Sequence, residues 1–256
     1  MNNNKLFLVL SILFIVGCAS TIPNNVFLPV ETSKTIPFFR NGIPIAAGFT
    51  DSTFILTSIE PAEGYPGGSR AIRLWLLFKN NAHKPFLLKP LEHVTLTYED
   101  LEKGTSKTIT PISPTLISAA IENEKRTIQT LQIIGGTLKN LAAQPTTIND
   151  NYGNSWQVND LEEKKDRILA KTIDNVSNTA YWYEIYKRSL YSGILKKNTM
   201  FFNESINGLI FFSISPSLYN DMLNVTEKKR TRYKYTVTVQ TPDGMKSTTF
   251  TAIPGE

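Results

Sequence analysis

Residues 231–241 read TRYKYTVTVQT, and from Tyr233 onward polar and apolar side chains alternate along this stretch. A period of two residues is that of a β-strand with one buried face and one solvent face. The stretch therefore decides the fold class in favour of a sheet protein. The face predicted to be buried carries Tyr233, Tyr235, Val237 and Val239.

The residues after this strand predict a hairpin. Pro242, Asp243 and Gly244 are consecutive turn formers. We expect a returning strand over residues 245–252, with Phe250 facing the core.

Other short strands are predicted on both sides of a central segment of different character. Residues 74–78 read LWLLF, and a continuous apolar run of this kind predicts burial on both faces of a strand. The predicted strands cover residues 53–59, 70–79, 86–88, 94–98, 106–110, 198–202 and 205–214.

The central segment has the period of a helix. Over residues 115–143 the apolar positions recur at steps of three, four and seven, which predicts one amphipathic helix that is kinked or interrupted at Gly135 and Gly136. A polar loop is expected over residues 144–159. A second helix is predicted over residues 161–191, with a break near 175–178, an Asp160 cap and Glu163 completing a capping box.

Two β blocks that flank one α block predict a mainly β protein with an α insertion. We expect an immunoglobulin-like β-sandwich of about 7–8 strands interrupted by a two-helix insert at about 115–192. We expect three regions along the chain: a signal peptide over residues 1–17, an extended tether over 18–48, and the sandwich with its helical insertion over 49–256.

Composition excludes several classes of protein. The chain has 256 residues, 41% of them apolar and 19% charged, which is typical of a globular domain. Its formal charge of +5 is a mild excess without one long basic run, and we expect no nucleic-acid partner. A single cysteine excludes an internal disulfide. Two histidines leave little for a metal site, so we expect neither metal nor cofactor.

The N-terminus predicts the compartment. Lys5 is followed by the apolar run LFLVLSILFIV over residues 6–16, which is too short for a spanning helix and typical of a secretory signal. The next residues, Gly17 and Cys18, complete a sequence that resembles the lipobox of bacterial lipoproteins. This resemblance implies cleavage between Gly17 and Cys18 and attachment of acyl chains such as palmitate to Cys18. An ordinary signal with a chance cysteine is the alternative.

Ala19 follows the cysteine, where the lipoprotein family places its sorting signal. The resemblance therefore implies a cell-envelope protein held by its lipid in the outer membrane, facing the periplasm or the cell surface. A Gram-positive source would instead place it on the outer face of the single membrane.

A second resemblance covers residues 195–212, LKKNTMFFNESINGLIFF. Asn198, Thr199, Glu204 and Gly208 before an apolar strand are similar to a stretch of envelope lipoproteins of unassigned function. That likeness implies an immunoglobulin-like sandwich with a helical insert and brings no catalytic residue. In physical terms we expect a turn at 202–205 and a bulge or close approach at Gly208.

Residues that could carry catalysis do not form a known motif. His83 and His93 lie ten apart without metal-ligand spacing. Glu60, Glu63 and Glu92 could form an acid/base group if the fold brought them together. Solvated turn and strand-end residues are the alternative for all five.

An aromatic run within the second predicted helix is the main candidate binding surface. Neighbouring helical residues differ by about 100° in direction, so consecutive aromatics cannot all face one core. A protein or glycan surface is one interpretation, packing on two partners a second, and contact with the membrane interface a third. The proposed surface comprises Tyr181, Trp182, Tyr186, Lys187 and Arg188.

These features together favour a lipid-anchored envelope protein that acts as a non-enzymatic binding or assembly module. Its expected contacts are the membrane, through the N-terminal lipid, and an envelope protein or glycan. An envelope hydrolase with clustered carboxylates and a subunit of a transport or secretion complex are the alternatives.

Overall fold

The alternating pattern of residues 233–240 forms the middle of a five-stranded antiparallel sheet. In the computed structural model, which describes residues 25–32, 35–62, 70–149, 155–223 and 233–254, this strand pairs with a neighbour on each side. The first sheet contains, in spatial order, β1 (Asn25–Pro29), β14 (Gly244–Pro254), β13 (Tyr233–Thr241), β7 (Val94–Asp100) and β8 (Thr105–Ile109).

A second antiparallel sheet of five strands contains the continuous apolar stretches. Two small two-stranded sheets accompany it, β6 (Phe86–Leu88) with β11 (Asn198–Met200) and β9 (Thr146–Asn149) with β10 (Ser155–Val158). The second large sheet contains, in spatial order, β12 (Ser205–Ile214), β5 (Arg70–Asn80), β4 (Thr53–Ala62), β3 (Ile43–Phe49) and β2 (Thr35–Arg40).

Four helices complete the described part of the chain, which is mainly β. Two are short, α1 (Pro90–His93) and α4 (Pro216–Leu223), and two are long, α2 (Pro114–Leu141) and α3 (Leu161–Gly193). The prediction of a mainly β protein with helices is confirmed, although the two large sheets hold ten strands rather than about 7–8. Within the described ranges, no helix has both the length and the apolarity to cross a bilayer.

The two large sheets share one core. Tyr235 and Val237 on β13 are fully buried, and the Phe27 ring meets the Tyr235 ring edge-on at 5.0 Å. The hydroxyls of Thr57 on β4 and Thr248 on β14 hydrogen-bond at 2.8 Å between the sheets. Burial of each large apolar side chain stabilises the fold by about 1.5–3 kcal/mol, so this shared core holds the sheets together.

The hairpin predicted after residue 241 is confirmed. β13 and β14 pair from Thr241 and Gly244 onward, Gly244 has a φ of +117°, and Phe250 is fully buried. The Asp243 carboxylate in this turn accepts hydrogen bonds from the Thr50 hydroxyl at 2.8 Å and from the Ser52 hydroxyl. Both hydrogen bonds lower the pKa of Asp243, and the bond from Ser52 has the larger effect.

The prediction that residues 74–78 are buried on both faces is wrong. Leu74, Leu76 and Phe78 face the core and are fully buried, whereas Trp75 and Leu77 are only half-buried on the opposite face. That outer face receives the long helices near Ala71, at one end of β5, and not along its whole length.

The predicted interruptions of both long helices are also wrong. α2 continues through Gly135 and Gly136 to Leu141, and α3 continues through residues 175–178. The Ser113 side chain caps α2 by accepting a hydrogen bond from the Leu116 backbone N–H at 3.3 Å. Packing of the two helices against each other supplies the stability that the glycines lack.

The loop predicted over residues 144–159 contains the β9–β10 hairpin instead. Asp160 occupies the N-cap position of α3, but its carboxylate accepts from the Thr146 backbone N–H at 2.9 Å and from the Thr146 hydroxyl. The capping box is therefore not formed, because Asp160 closes the hairpin, and Glu163 pairs with Arg167.

Strands β1 to β3 lie within residues 25–49, most of which were expected to be tether. β2 and β3 are joined by Asn41 and Gly42, which have φ values of 52° and 77°. Positive φ at both central residues is the mark of a two-residue hairpin turn. The signal peptide, Gly17 and Cys18 lie outside the described residues.

Candidate functional site

The two long helices, α2 and α3, form a helical arm that is anchored to the outer face of the second sheet. Ile117 and Ile121 of α2 are buried against Ala71 and Phe211. The Tyr191 hydroxyl, near the end of α3, donates to the Pro114 carbonyl at 2.7 Å. The base of the arm is thus packed on the sheet through α2, and the two helices are joined to each other there.

Ion pairs join the two helices just beyond this base. The Lys187 ammonium lies 2.7 Å from Glu122, and the Lys125 ammonium lies 3.0 Å from Glu184 and 3.4 Å from Glu122. The hydrogen bond from Lys187 is the main cause that lowers the pKa of Glu122. The bond to Glu184 likewise raises the pKa of Lys125. These charges orient one helix on the other.

Farther from the sheet, the helices meet through small and polar residues. Gln132 exchanges hydrogen bonds with the Thr179 hydroxyl at 2.8 and 3.1 Å. A Cβ on Gly136 would lie 2.2 Å from the Thr172 hydroxyl oxygen, so these positions touch. The Asn140 side chain donates to the Lys165 carbonyl at 3.2 Å. Because small and polar groups fill this contact, the apolar side chains of the arm lie outside it.

Those apolar side chains are exposed. The predicted apolar face of α2 begins with the buried Ile117 and Ile121 and continues past the sheet into solvent. No residue of α3 is fully buried. The exposed side chains, with their exposed fractions, are Leu131 63%, Ile133 52%, Ile134 50%, Leu138 61%, Leu141 78%, Leu169 54% and Ile173 59%.

Two grooves run between the helices on opposite sides of the Gly136–Thr172 contact. The neutral groove, of about 510 Å³, is lined by Ile133, Leu141, Leu169 and Ile173 together with uncharged polar residues. The basic groove, of about 570 Å³, is lined by apolar and uncharged polar residues and by Lys139 and Lys171. The arm thus presents one uncharged and one positively charged surface.

The predicted aromatic surface lies nearer the base, on α3. Tyr181 is 62% exposed, Trp182 65% and Tyr186 41%, and the first two rings meet edge-on at 5.7 Å. Trp182 and Tyr186 line a recess of about 240 Å³ with Tyr183 and Glu124. Arg188 is exposed. Lys187 instead lies between the helices, held by Glu122.

The recess shifts the ionisation of its tyrosines. Burial, and then the hydrogen bond to the Glu124 carboxylate, raise the pKa of Tyr183 to about 12. Burial is also the main cause that raises the pKa of Tyr186, followed by the charge of Glu124. The neutral Tyr183 hydroxyl therefore donates to the Glu124 carboxylate.

The carboxylates considered for catalysis have separate partners. Glu60 pairs with Arg73 at 2.7 Å and Glu92 with Lys89 at 2.8 Å, both at exposed positions. The hydrogen bonds and ion pairs of the described residues do not join these two acids, and Glu63 lies outside those residues. No group of three or more His, Cys, Asp or Glu within the described ranges could hold a metal.

The two histidines take structural contacts. The His83 ring stacks on Phe202 with centroids 4.4 Å apart. The Nδ1 atom of His93 accepts from the Lys89 backbone N–H at 3.2 Å. Burial is the main cause that lowers the pKa of His93.

The helical period predicts an apolar face on α2 but does not indicate which part of that face meets the sheet, so the exposed tip of the arm is not predicted. Helix length was the available signal. Twenty-eight residues of α2 span about 42 Å, whereas the ten residues of β4 span about 33 Å. A helix of that length can extend beyond the sheet on which it packs.

Comparisons with protein families, with curated proteins and with solved structures find no match for this chain.

Proposed function

We propose that the protein is a lipid-anchored component of a bacterial cell envelope that acts as a non-enzymatic binding or assembly module. The observation that carries this proposal is the helical arm. It extends beyond the sheets and has two grooves lined by exposed apolar side chains. Exposed apolar patches of this kind are typical of interaction sites. The membrane attachment rests on the lipobox at Gly17 and Cys18.

We assign the fold to the immunoglobulin-like class of sandwiches. Two antiparallel five-stranded sheets around one core support this assignment. The arm then stands as an insertion, since α2 leaves after β8 of the first sheet and α3 returns before β12 of the second.

The partner that fits the neutral groove is an envelope protein that presents an uncharged apolar helix. None of the described residues that line this groove is charged, so it offers nothing to an anionic glycan and excludes a charged helix face by desolvation. An amphipathic helix in an apolar groove between two helices is a recurrent mode of recognition. Tyr181 and Trp182 add exposed aromatic area nearer the base of the arm.

The experiment that tests this is crosslinking of intact envelopes followed by affinity purification of the tagged protein. We expect one dominant companion, lost when Ile133 and Ile173 in the neutral groove are both replaced by serine. Met245→Ser is the control, because Met245 is 66% exposed near the start of β14 in the first sheet. Equal recovery from both variants, or self-association as the only product, would contradict the proposal.

Lipid anchoring is tested separately by metabolic labelling with palmitate. Cys18→Ser should abolish the label and release the protein from the membrane fraction. Unchanged labelling would show that Cys18 does not carry the lipid. A companion at equimolar amount would favour the variant of this proposal in which the protein is a subunit of a transport or secretion complex.

A further inference from the structure

A second recess lies at the seam where the helical arm joins the second sheet. It has a volume of about 260 Å³. Ile117 of α2, Ile194 at the end of α3 and Phe211 of β12 form its buried wall, and Leu91 of α1, which is 45% exposed, lies at its mouth. We name this recess the seam pocket. It is distinct from both grooves of the arm.

The wall of the seam pocket is apolar because its backbone groups are already engaged. The Ile194 N–H donates to the Leu190 carbonyl at 3.1 Å, and the Leu195 N–H donates to the Leu209 carbonyl at 2.9 Å. The Ile112 N–H donates to the Phe211 carbonyl at 2.7 Å. The wall therefore presents methyl, methylene and ring groups to whatever enters.

The seam pocket is also lined by charged side chains of mostly one sign. Three lysines, Lys89, Lys196 and Lys197, line it with a single carboxylate, Glu92. The Glu92 carboxylate forms an ion pair with the Lys89 ammonium at 2.8 Å. Lys196 and Lys197 are exposed, and among the described residues neither has a carboxylate within salt-bridge distance. Two consecutive exposed lysines thus line an apolar cavity.

From this juxtaposition we propose that the seam pocket binds an anionic amphiphile, whose acyl chain enters the apolar cavity and whose carboxylate or phosphate meets Lys196 and Lys197. An apolar interior with a few convergent polar groups at the mouth is the general design of a small-molecule site. The volume lies just under the roughly 300 Å³ at which pockets for larger ligands begin. One short acyl chain fits this space, and a diacyl lipid does not.

The test uses the full-length chain with Cys18→Ser, so that no attached acyl group competes for the pocket. Calorimetric titration would use decanoate and decyl phosphate below their micellar concentrations. We expect saturable binding at one site by both, and none by acetate or inorganic phosphate. Decyl maltoside, which has the same chain and no charge, should bind at least tenfold more weakly.

Two variants probe the two halves of the proposed site. Replacing Lys196 and Lys197 by glutamine should weaken decanoate binding at least tenfold and reduce its dependence on salt. The matched control replaces Lys84, in the loop after β5, and Lys107, on β8, by glutamine; both lysines are exposed and neither lines the seam pocket. Leu209→Phe adds volume at a half-buried position of the wall and should abolish binding by filling the cavity.

The proposal is overturned by an absence of saturable binding, or by equal affinity for decyl maltoside. It is also overturned if the Lys196 and Lys197 variant binds like the Lys84 and Lys107 control. Vesicles of phosphatidylglycerol separate a membrane surface from a free ligand. Binding to these vesicles without binding of monomeric decanoate would show that the lysines attract a lipid surface and that the cavity is not used.

Discussion

At Gly208 the absence of a side chain allows a neighbouring segment of backbone to approach closely. It is buried on β12, and a Cβ built there would lie 2.9 Å from both the Cα and the N of Leu195. The chain after α3 can therefore run along β12 and bond to it, as the Leu195 N–H does with the Leu209 carbonyl. The close approach expected at Gly208 is confirmed.

We predict that Gly208→Ala destabilises the protein by about 1–3 kcal/mol, since backbone must move to admit the methyl group. Gly135→Ala is the matched control. A Cβ on Gly135 meets nothing within 4 Å, and alanine in a helix interior is favoured over glycine by about 1 kcal/mol. Urea unfolding of both variants measures the difference. A stabilising Gly208→Ala would show that the seam is looser than described.

Asp160 has its pKa lowered to about 2, first by the Thr146 hydroxyl and then by the Thr146 backbone N–H. Because the folded pKa is lower than the value of 3.8 expected without these bonds, ionised Asp160 favours the folded hairpin. This contribution is complete above about pH 4 and is lost as the pH falls through about 2.

We predict that Thr146→Val raises the pKa of the Asp160 carboxyl toward its ordinary value, because the largest cause of the shift is removed. NMR titration of the carboxyl carbon measures this directly. Thr147→Val, at the exposed neighbouring position, is the control and should leave the titration unchanged. Equal titration curves in the two variants would contradict the assignment of the shift to the Thr146 hydroxyl.

At the scale of elements, the long helices show what the periodicity of apolar residues can and cannot predict. The helical period correctly predicts α2 and α3, and the alternation correctly predicts β13. Periodicity does not distinguish an apolar face that meets a sheet from one that extends past it. Ile121 and Leu138 belong to the same predicted face, yet one is fully buried and the other 61% exposed. That difference depends on where the sheet ends.

The contact between Gly136 and Thr172 sets how closely the helices approach. We predict that Gly136→Ala destabilises the arm, because a methyl group would overlap the Thr172 side chain. Thr172→Ala in the same chain should restore part of the loss, since it removes the hydroxyl and the methyl that overlap. Hydrogen exchange of the α2 amides beyond residue 128 is the measurement. Additive effects of the two substitutions would exclude a direct contact.

At the scale of the whole molecule, a buried hydrogen bond between Thr57 and Thr248 crosses between the sheets. The Thr57 hydroxyl contacts the Thr248 hydroxyl at 2.8 Å and also donates toward the Ala46 carbonyl at 3.3 Å. Thr248 has no other hydrogen-bond partner among the described residues. Loss of Thr57 therefore leaves a buried hydroxyl unpaired, and loss of Thr248 does not.

We predict that Thr57→Val destabilises the protein by about 1–3 kcal/mol and more than Thr248→Val does, because an unpaired buried hydroxyl carries its desolvation penalty. The double variant should be less destabilised than the sum of the two. Thr97 and Thr108 form a matched pair at 2.9 Å on an exposed face, where the same changes should have little effect. Equal losses for Thr57→Val and Thr248→Val would contradict the asymmetry.

The sequence by itself determined the elements whose signal is local. Alternation of polar and apolar residues predicts β13, and the helical period predicts α2 and α3. Gly208 before an apolar strand predicts a close approach of the backbone. The Asn41–Gly42 pair is an equally local signal for a two-residue hairpin turn, although it lies in the stretch predicted to be a tether. These features follow from the preferences of a few neighbouring residues and need no knowledge of the rest of the chain.

Only the tertiary structure decided what the elements do together. It pairs Lys187 with Glu122, brings Lys196 and Lys197 to the seam pocket, and leaves the tip of the arm uncovered. Each of these depends on contacts between residues far apart in sequence and on the finite length of the sheet. Local periodicity carries no information about either, which is why the candidate sites emerged from the fold.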